Sequence, residues 1–178
     1  TPVSFRHLTL RENLVYTARL YYGSARDPEE LLAAVGLVDD ADLLAARMSK
    51  GMGVRFNVAR ALLHGPELVF LDEPTAGLDP VGAQRMEKLI AVERDRGCTV
   101  VVTTHDMTLA HRACDRVGFV VDGRLVELGV PGELCRRHGK REVRVTWDGG
   151  SGVYPLDGLA DDVSFYEALR TRTVRTLH

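Results

Sequence analysis

The sequence predicts an α/β chain built on a buried parallel sheet, with a helical region before it and a small α+β segment after it. Three observations carry this. Leu68-Val69-Phe70-Leu71 and residues 98–102 are apolar runs too short for helices, the pattern of strands covered on both faces. Between them Asp79-Pro80 opens a helix-length segment that closes near Gly97. The order strand, helix, strand implies parallel pairing with a right-handed crossover.

The elements follow in order. Thr9 and Glu12 have capping-box spacing, and Leu10, Leu14, Ala18 and Tyr21 then share one helical face until Gly23-Ser24. Asp27 reads as the N-cap of a second helix, with Pro28 at its first position and Glu30 completing a box. A short amphipathic stretch is expected over residues 41–46. Ser49 reads as the N-cap of a third helix, with Val54, Val58, Ala61 and Leu62 inward and Gly65-Pro66 as its stop. After the two buried strands, a short helix follows Asp106, and two strands flank a turn at Asp122-Gly123. Pro131-Gly132-Glu133 opens another short helix, ending at Gly139. Past Lys140 the period becomes two: Val143, Val145 and Trp147 alternate with polar residues up to a turn at Asp148-Gly149-Gly150. A helix over residues 163–169 and a last strand toward His178 are expected.

Composition narrows the function classes. The chain has 178 residues, of which 45% are hydrophobic and 27% charged, so disordered and low-complexity readings fall away. A net charge of −2 supplies no basic field for nucleic acid. Cys98, Cys114 and Cys135 are odd in number and lack CxxC spacing, which argues against a disulfide framework or zinc site and fits a reducing compartment. No apolar run reaches membrane-span length, and the opening residues lack the apolar core of a secretory leader. The basic cluster of Arg136, Arg137, Lys140 and Arg141 reads as a solvated face, and Tyr21-Tyr22 as helix packing.

The chemistry gathers where the buried strands end. The first ends in Asp72-Glu73 and the second in Thr103-Thr104-His105. In open parallel sheets ligands bind outside the carboxyl ends of strands. Two carboxylates and an imidazole there suit phosphate chemistry on a metal: one acid for the cation, one for a nucleophilic water, the imidazole for the terminal phosphate.

These residues resemble a known family. The run from Leu68 through Asp72, Glu73, Pro74 and Thr75, followed by Ala76-Gly77-Leu78-Asp79-Pro80, is similar to the Walker B segment and D-loop of ABC transporter ATPases. Met48-Ser49-Lys50-Gly51-Met52, directly before a helix reading Val58-Ala59-Arg60-Ala61-Leu62, resembles the ABC signature, and His105 matches the switch histidine. Four motifs stand in family order between about residues 8 and 134. Lys50 replaces the commoner signature Gly and Met52 the commoner Gln, a variant that the resemblance associates with exporters.

The resemblance implies a partial P-loop NTPase domain of the ABC type with a helical subdomain and a small α+β C-terminal extension. It divides the chain into residues 1–65 (helical subdomain and signature helix), 66–139 (Walker B and switch-histidine half) and 140–178 (a truncated C-terminal extension like those of drug and antibiotic export ATPases). It implies ATP and Mg²⁺ as cofactors. Asp72 would hold Mg²⁺ through its water shell, Glu73 would be the general base, and His105 would link the γ-phosphate to Glu73. Ser49, Lys50, Gly51 and Met52 would face ATP held by an opposing subunit, and Asp79 would act across that interface while capping its own helix. The implied partners are a second ATPase subunit, head to tail, and a separate membrane permease docked on residues 10–46. The expected place is cytoplasmic, at the inner face of the plasma membrane through that permease, with no nucleic acid involved.

The family's phosphate-wrapping P-loop, GxxxxGK(S/T), has no counterpart here. Lys50 is followed by Gly51, Lys88 by Leu89 and Lys140 by Arg141. The expectation is therefore a fragment of an exporter ATPase, inactive alone. Two other readings stand beside it: a soluble ABC ATPase acting on DNA or ribosomes, and a non-catalytic ABC-like interaction module.

Overall fold

The computed structural model describes residues 5–20, 25–139 and 141–177. The expectations at Tyr21, Tyr22, Gly23-Ser24, Lys140 and His178 lie outside them. The chain separates into two compact units, residues 1–131 and 132–178.

In the first unit, α1 (Leu10–Leu20) opens on the expected box: Thr9 N–H donates to Glu12 Oε2 at 2.8 Å and Glu12 N–H to Thr9 Oγ1 at 3.1 Å. Asn13 is buried with its amide fully engaged. It accepts from Phe5 N–H at 2.8 Å and donates to the carbonyls of Phe5, Leu8 and Thr9. Asp27 caps α2 (Pro28–Ala34) through Glu29 N–H. Glu30 completes no box; its carboxylate pairs with Arg26 and Arg96, each at 3.0 Å, because two guanidinium groups outcompete one backbone N–H. Residues 41–44 lead into a 3-10 helix at Ala45–Arg47, with Ala41 and Ala45 buried and Asp42 and Ala46 exposed, and Leu44 bridges to Thr9. Ser49 caps α3 (Lys50–Leu62), its hydroxyl oxygen accepting from Met52 N–H at 3.2 Å.

Two parallel strands, β1 (Leu68–Asp72) and β2 (Thr99–Thr103), flank α4 (Pro80–Asp95), whose N-cap is Asp79. Helix α5 (Met107–Ala113) follows, capped by Asp106. A hairpin of β3 (Val117–Val121) and β4 (Arg124–Gly129) then turns at Asp122-Gly123, both at positive φ. The core joins Leu10, Leu14, Phe56, Leu62, Val69, Leu71, Leu89 and Leu109.

The reading of β1 as covered on both faces is corrected. Val69 and Leu71 are buried, but Leu68 is 50% and Phe70 71% exposed. The core draws on one face of the strand pair, and an uninterrupted apolar run does not reveal which of its alternate residues meet helices.

Glu93, on α4, is a buried carboxylate at 5% exposure. Arg26 reaches both its oxygens, at 2.8 and 2.9 Å, and Arg96 adds a contact at 3.2 Å. With Glu30 these residues close a ring of alternating charge that ties the loop before α2 to α4.

The second unit holds α6 (Pro131–His138), apart from its first residue, and an antiparallel sheet in the order β6-β5-β7. Its strands are β5 (Glu142–Trp147), β6 (Gly150–Pro155) and β7 (Val174–Leu177), and α7 (Val163–Thr171) precedes β7. Val145, fully buried, and Phe165 form its core, with Tyr154 edge-on to Phe165 at 5.3 Å. The Trp147 ring lies where side chains at Gly150 and Gly152 would stand, and the Arg172 guanidinium covers it at 4.0 Å.

The charge ring yields a stability expectation. Arg26→Met leaves Glu93 buried without its main partner and lowers the unfolding free energy by about 3 kcal/mol. Urea unfolding of the variant and the parent chain measures the difference; a change below about 0.5 kcal/mol, the scale of a neutral surface substitution, would contradict it.

Candidate active site

The strand register builds the site. In the β1–β2 pair Asp72 lies opposite Thr103, each the last residue of its strand. Side chains alternate, so Asp72 and Thr103 stand on the open face with Phe70 and Val101, opposite the core. The Thr103 hydroxyl donates to Asp72 Oδ1.

The ladder takes one further step: Glu73 N–H donates to the Thr103 carbonyl at 2.9 Å. Glu73 then leaves the strand at φ +47°, the left-handed region, at a cost of about 1 kcal/mol for a residue with a Cβ. Its side chain is held on the far side of that turn. Oε1 meets His105 Nδ1 at 2.8 Å and accepts His105 N–H at 3.2 Å; Oε2 accepts a long bond from Thr104 Oγ1 at 3.4 Å. Thr104 Oγ1 also accepts Asp106 N–H at 3.0 Å, fixing the loop to the start of α5.

The His105 ring is 85% exposed, so its outer nitrogen is open to a ligand while Nδ1 stays on Glu73. The hydrogen bond and charge of Glu73, with a smaller contribution from Asp106, raise its pKa above the ordinary histidine value against a slight desolvation. The arrangement offers a carboxylate able to take a proton beside an imidazole able to give or hold one.

The other expected site residues gather separately. Ser49 and Lys50 are exposed at the amino end of α3. Gly51 lies beside the loop after β1, where a Cβ would make ordinary contacts, 3.4 Å from Leu78 and 3.5 Å from the Gly77 carbonyl. Asp79 Oδ1 is occupied by Gly82 N–H at 3.1 Å. Met52 is half-buried against the core, so its thioether packs where an amide would seek a partner. None of the described hydrogen bonds joins this group to Glu73 and His105. Sequence reasoning noted Thr103 and Thr104 only as a polar strand end. Their grip on the two acids follows from the register, which apolar patterning alone does not give.

Comparison with known proteins follows the same lines. The family described as "ABC transporter" matches residues 1–76, and "Fluoroquinolone efflux ABC transporter C-terminal domain" matches residues 141–178. The chain is 49% identical to the fluoroquinolones export ATP-binding protein of Mycobacterium tuberculosis (strain ATCC 25618 / H37Rv), over 99% of this chain and 60% of that protein. It is 38% identical to the bacitracin transport ATP-binding protein BcrA of Bacillus licheniformis, over 71% of this chain and 42% of that protein. Among solved structures it resembles the dimeric post-hydrolysis state of the ATP-binding cassette MJ0796 bound to ADP and Pi. There the TM-score is 0.63 and the identity 26%, over 72% of this chain and 59% of that one. The chain thus spans at most about 60% of the length of these curated relatives.

The Glu73–His105 pair has a pH signature. Because the folded-state pKa of His105 is raised, the pairing contributes fully below the unfolded histidine value and fades as pH rises through the folded one. Histidine NMR should show a His105 midpoint above that of a free imidazole, moved downward by Glu73→Gln. A midpoint indifferent to that substitution would mean the pair does not form in solution.

Proposed function

This chain combines ABC transporter ATP-binding domain sequence with a fluoroquinolone efflux ABC transporter C-terminal domain, and from that premise we propose that it supplies the hydrolytic half of an ATPase subunit that powers an antibiotic exporter. The observation that carries the proposal is the Glu73–His105 hydrogen bond, formed between the carboxyl ends of two adjacent parallel strands.

Each residue has a part. The Glu73 carboxylate orients the attacking water and accepts its proton. His105 keeps Nδ1 on Glu73 and presents its other nitrogen to the terminal phosphate, which registers the phosphate against the base. Asp72 offers an oxygen ligand at a strand end. Among the described residues no group of three or more metal-ligating side chains occurs, which suits a cation that keeps most of its water and leans on one carboxylate and the nucleotide. Bound there, Mg²⁺ would neutralise charge on the phosphate oxygens. The amino end of α3, with Ser49, Lys50 and Gly51, offers N–H groups and a positive charge to the nucleotide of an opposing subunit. Asp79 and the Gly77–Leu78 backbone beside Gly51 would lie along the same seam.

Head-to-tail pairing with a second subunit fits this division, since the base and the signature helix make no described hydrogen bond within one chain, and the similar solved cassette is a dimer. Among the described residues no helix is long and apolar enough to cross a membrane. Transport would go through a membrane permease at the cytoplasmic face, a reading supported by the likeness to export ATP-binding proteins. Residues 10–46 would meet that permease. The antibiotic exporters among the relatives support an antibiotic-type cargo.

Two outcomes test the proposal. In the full-length subunit, Glu73→Gln should cut steady-state hydrolysis by about 10³-fold while ATP still binds, because the amide keeps the shape and loses the proton acceptor. Near-parental turnover would remove Glu73 from its role. The 178-residue chain by itself, whose sequence holds no GxxxxGK(S/T), should show no micromolar ATP affinity in equilibrium dialysis with Mg²⁺. Micromolar binding would overturn that expectation.

A further inference from the structure

We propose that Thr103 is a positioning residue for both acids of the site, and that its hydroxyl sets the orientation of Asp72 toward a divalent cation. The inference rests on the reading of Asp72 as the carboxylate facing that cation.

Thr103 touches the two acids through different atoms. Its carbonyl accepts Glu73 N–H at 2.9 Å, the last rung of the β1–β2 ladder. Its hydroxyl donates to Asp72 Oδ1 across the open face. The parallel register places Asp72 and Thr103 side by side, so the contact is made between neighbours on rigid strands rather than by a loop. Asp72 is exposed, and no other described hydrogen bond reaches its carboxylate. Without the hydroxyl the side chain would turn freely about its own bonds. With it, Oδ1 is engaged and Oδ2 stays available. A carboxylate held by a hydrogen bond meets a hydrated cation already oriented, and losing such an outer contact typically weakens metal binding about tenfold or more. Thr104 and His105 hold the other acid in the same manner, so three successive residues of one strand end arrange both carboxylates.

The test uses the full-length subunit with its phosphate loop. Thr103→Val keeps the branched strand shape and removes the hydroxyl; Thr103→Ser keeps the hydroxyl; Asp72→Asn serves as reference. With a non-hydrolysable ATP analogue bound, Mn²⁺ affinity is read by electron paramagnetic resonance, and the Mg²⁺ dependence of hydrolysis is read in parallel. Thr103→Val should weaken Mn²⁺ binding about tenfold and raise the Mg²⁺ needed for half-maximal rate similarly, with the rate at saturating Mg²⁺ within about threefold of the parent. Thr103→Ser should stay within about twofold, as expected where the hydroxyl is retained. If Asp72→Asn weakens Mn²⁺ binding and Thr103→Val does not, the positioning role is overturned and the site reading stands. If Asp72→Asn changes nothing, the reading of Asp72 fails and this inference with it. Should Thr103→Val not fold, Thr103→Ala undergoes the same comparison.

Discussion

Five residues at the ends of two strands depend on one constraint, the parallel register that sets Asp72 against Thr103. A slip of β1 by one residue would turn Asp72 to the core face, away from Thr103, and bring Val69 and Leu71 out to solvent. The same register delivers the Thr103 carbonyl to Glu73 N–H, and that bond fixes where Glu73 leaves the strand. The turn at Glu73 then decides which loop its carboxylate meets. Burial of alternate apolar side chains along β1 thus stabilises the fold and at the same time selects the partners of two acids.

Helix α3 is held to this assembly by its buried side chains, Phe56, Val58, Ala59 and Leu62, which share the core with Val69 and Leu71. At its amino end Gly51 lies beside Gly77 and Leu78, at a spacing where an added Cβ would make ordinary van der Waals contact. Asp79, two residues beyond Gly77, is committed to its helix cap. The loop after β1 therefore runs beside the amino end of α3 and leads into α4.

Features set within a few residues were legible in the sequence. The caps at Thr9, Asp27, Ser49 and Asp79 are contacts spanning two or three positions, and residue type with spacing is enough to read them. The strand ends bearing Asp72, Glu73 and His105 were likewise readable from where apolar runs stop. What stayed hidden spans the chain. Glu93 finds Arg26 from 67 positions away and Glu30 finds Arg96 from 66, and no local pattern encodes either pairing. Asn13 looks like an ordinary polar helix residue until the segment before α1 folds back onto it. The exposed face of β1 was misjudged for the same reason: an apolar alphabet records that a strand could be covered twice, whereas coverage depends on which helices arrive. In the second unit, alternation predicted the sheet, but not that Gly150 and Gly152 make room for the Trp147 ring.

The left-handed backbone at Glu73 has an evolutionary corollary. At that conformation glycine, asparagine and aspartate are tolerated best, and branched side chains worst. Under the role proposed for Glu73, a gene duplicate released from selection for hydrolysis would lose the carboxylate first toward glycine or asparagine, which relieves the backbone there. Position 73 would then serve as a fossil record, separating working engines from their retired copies by a single codon.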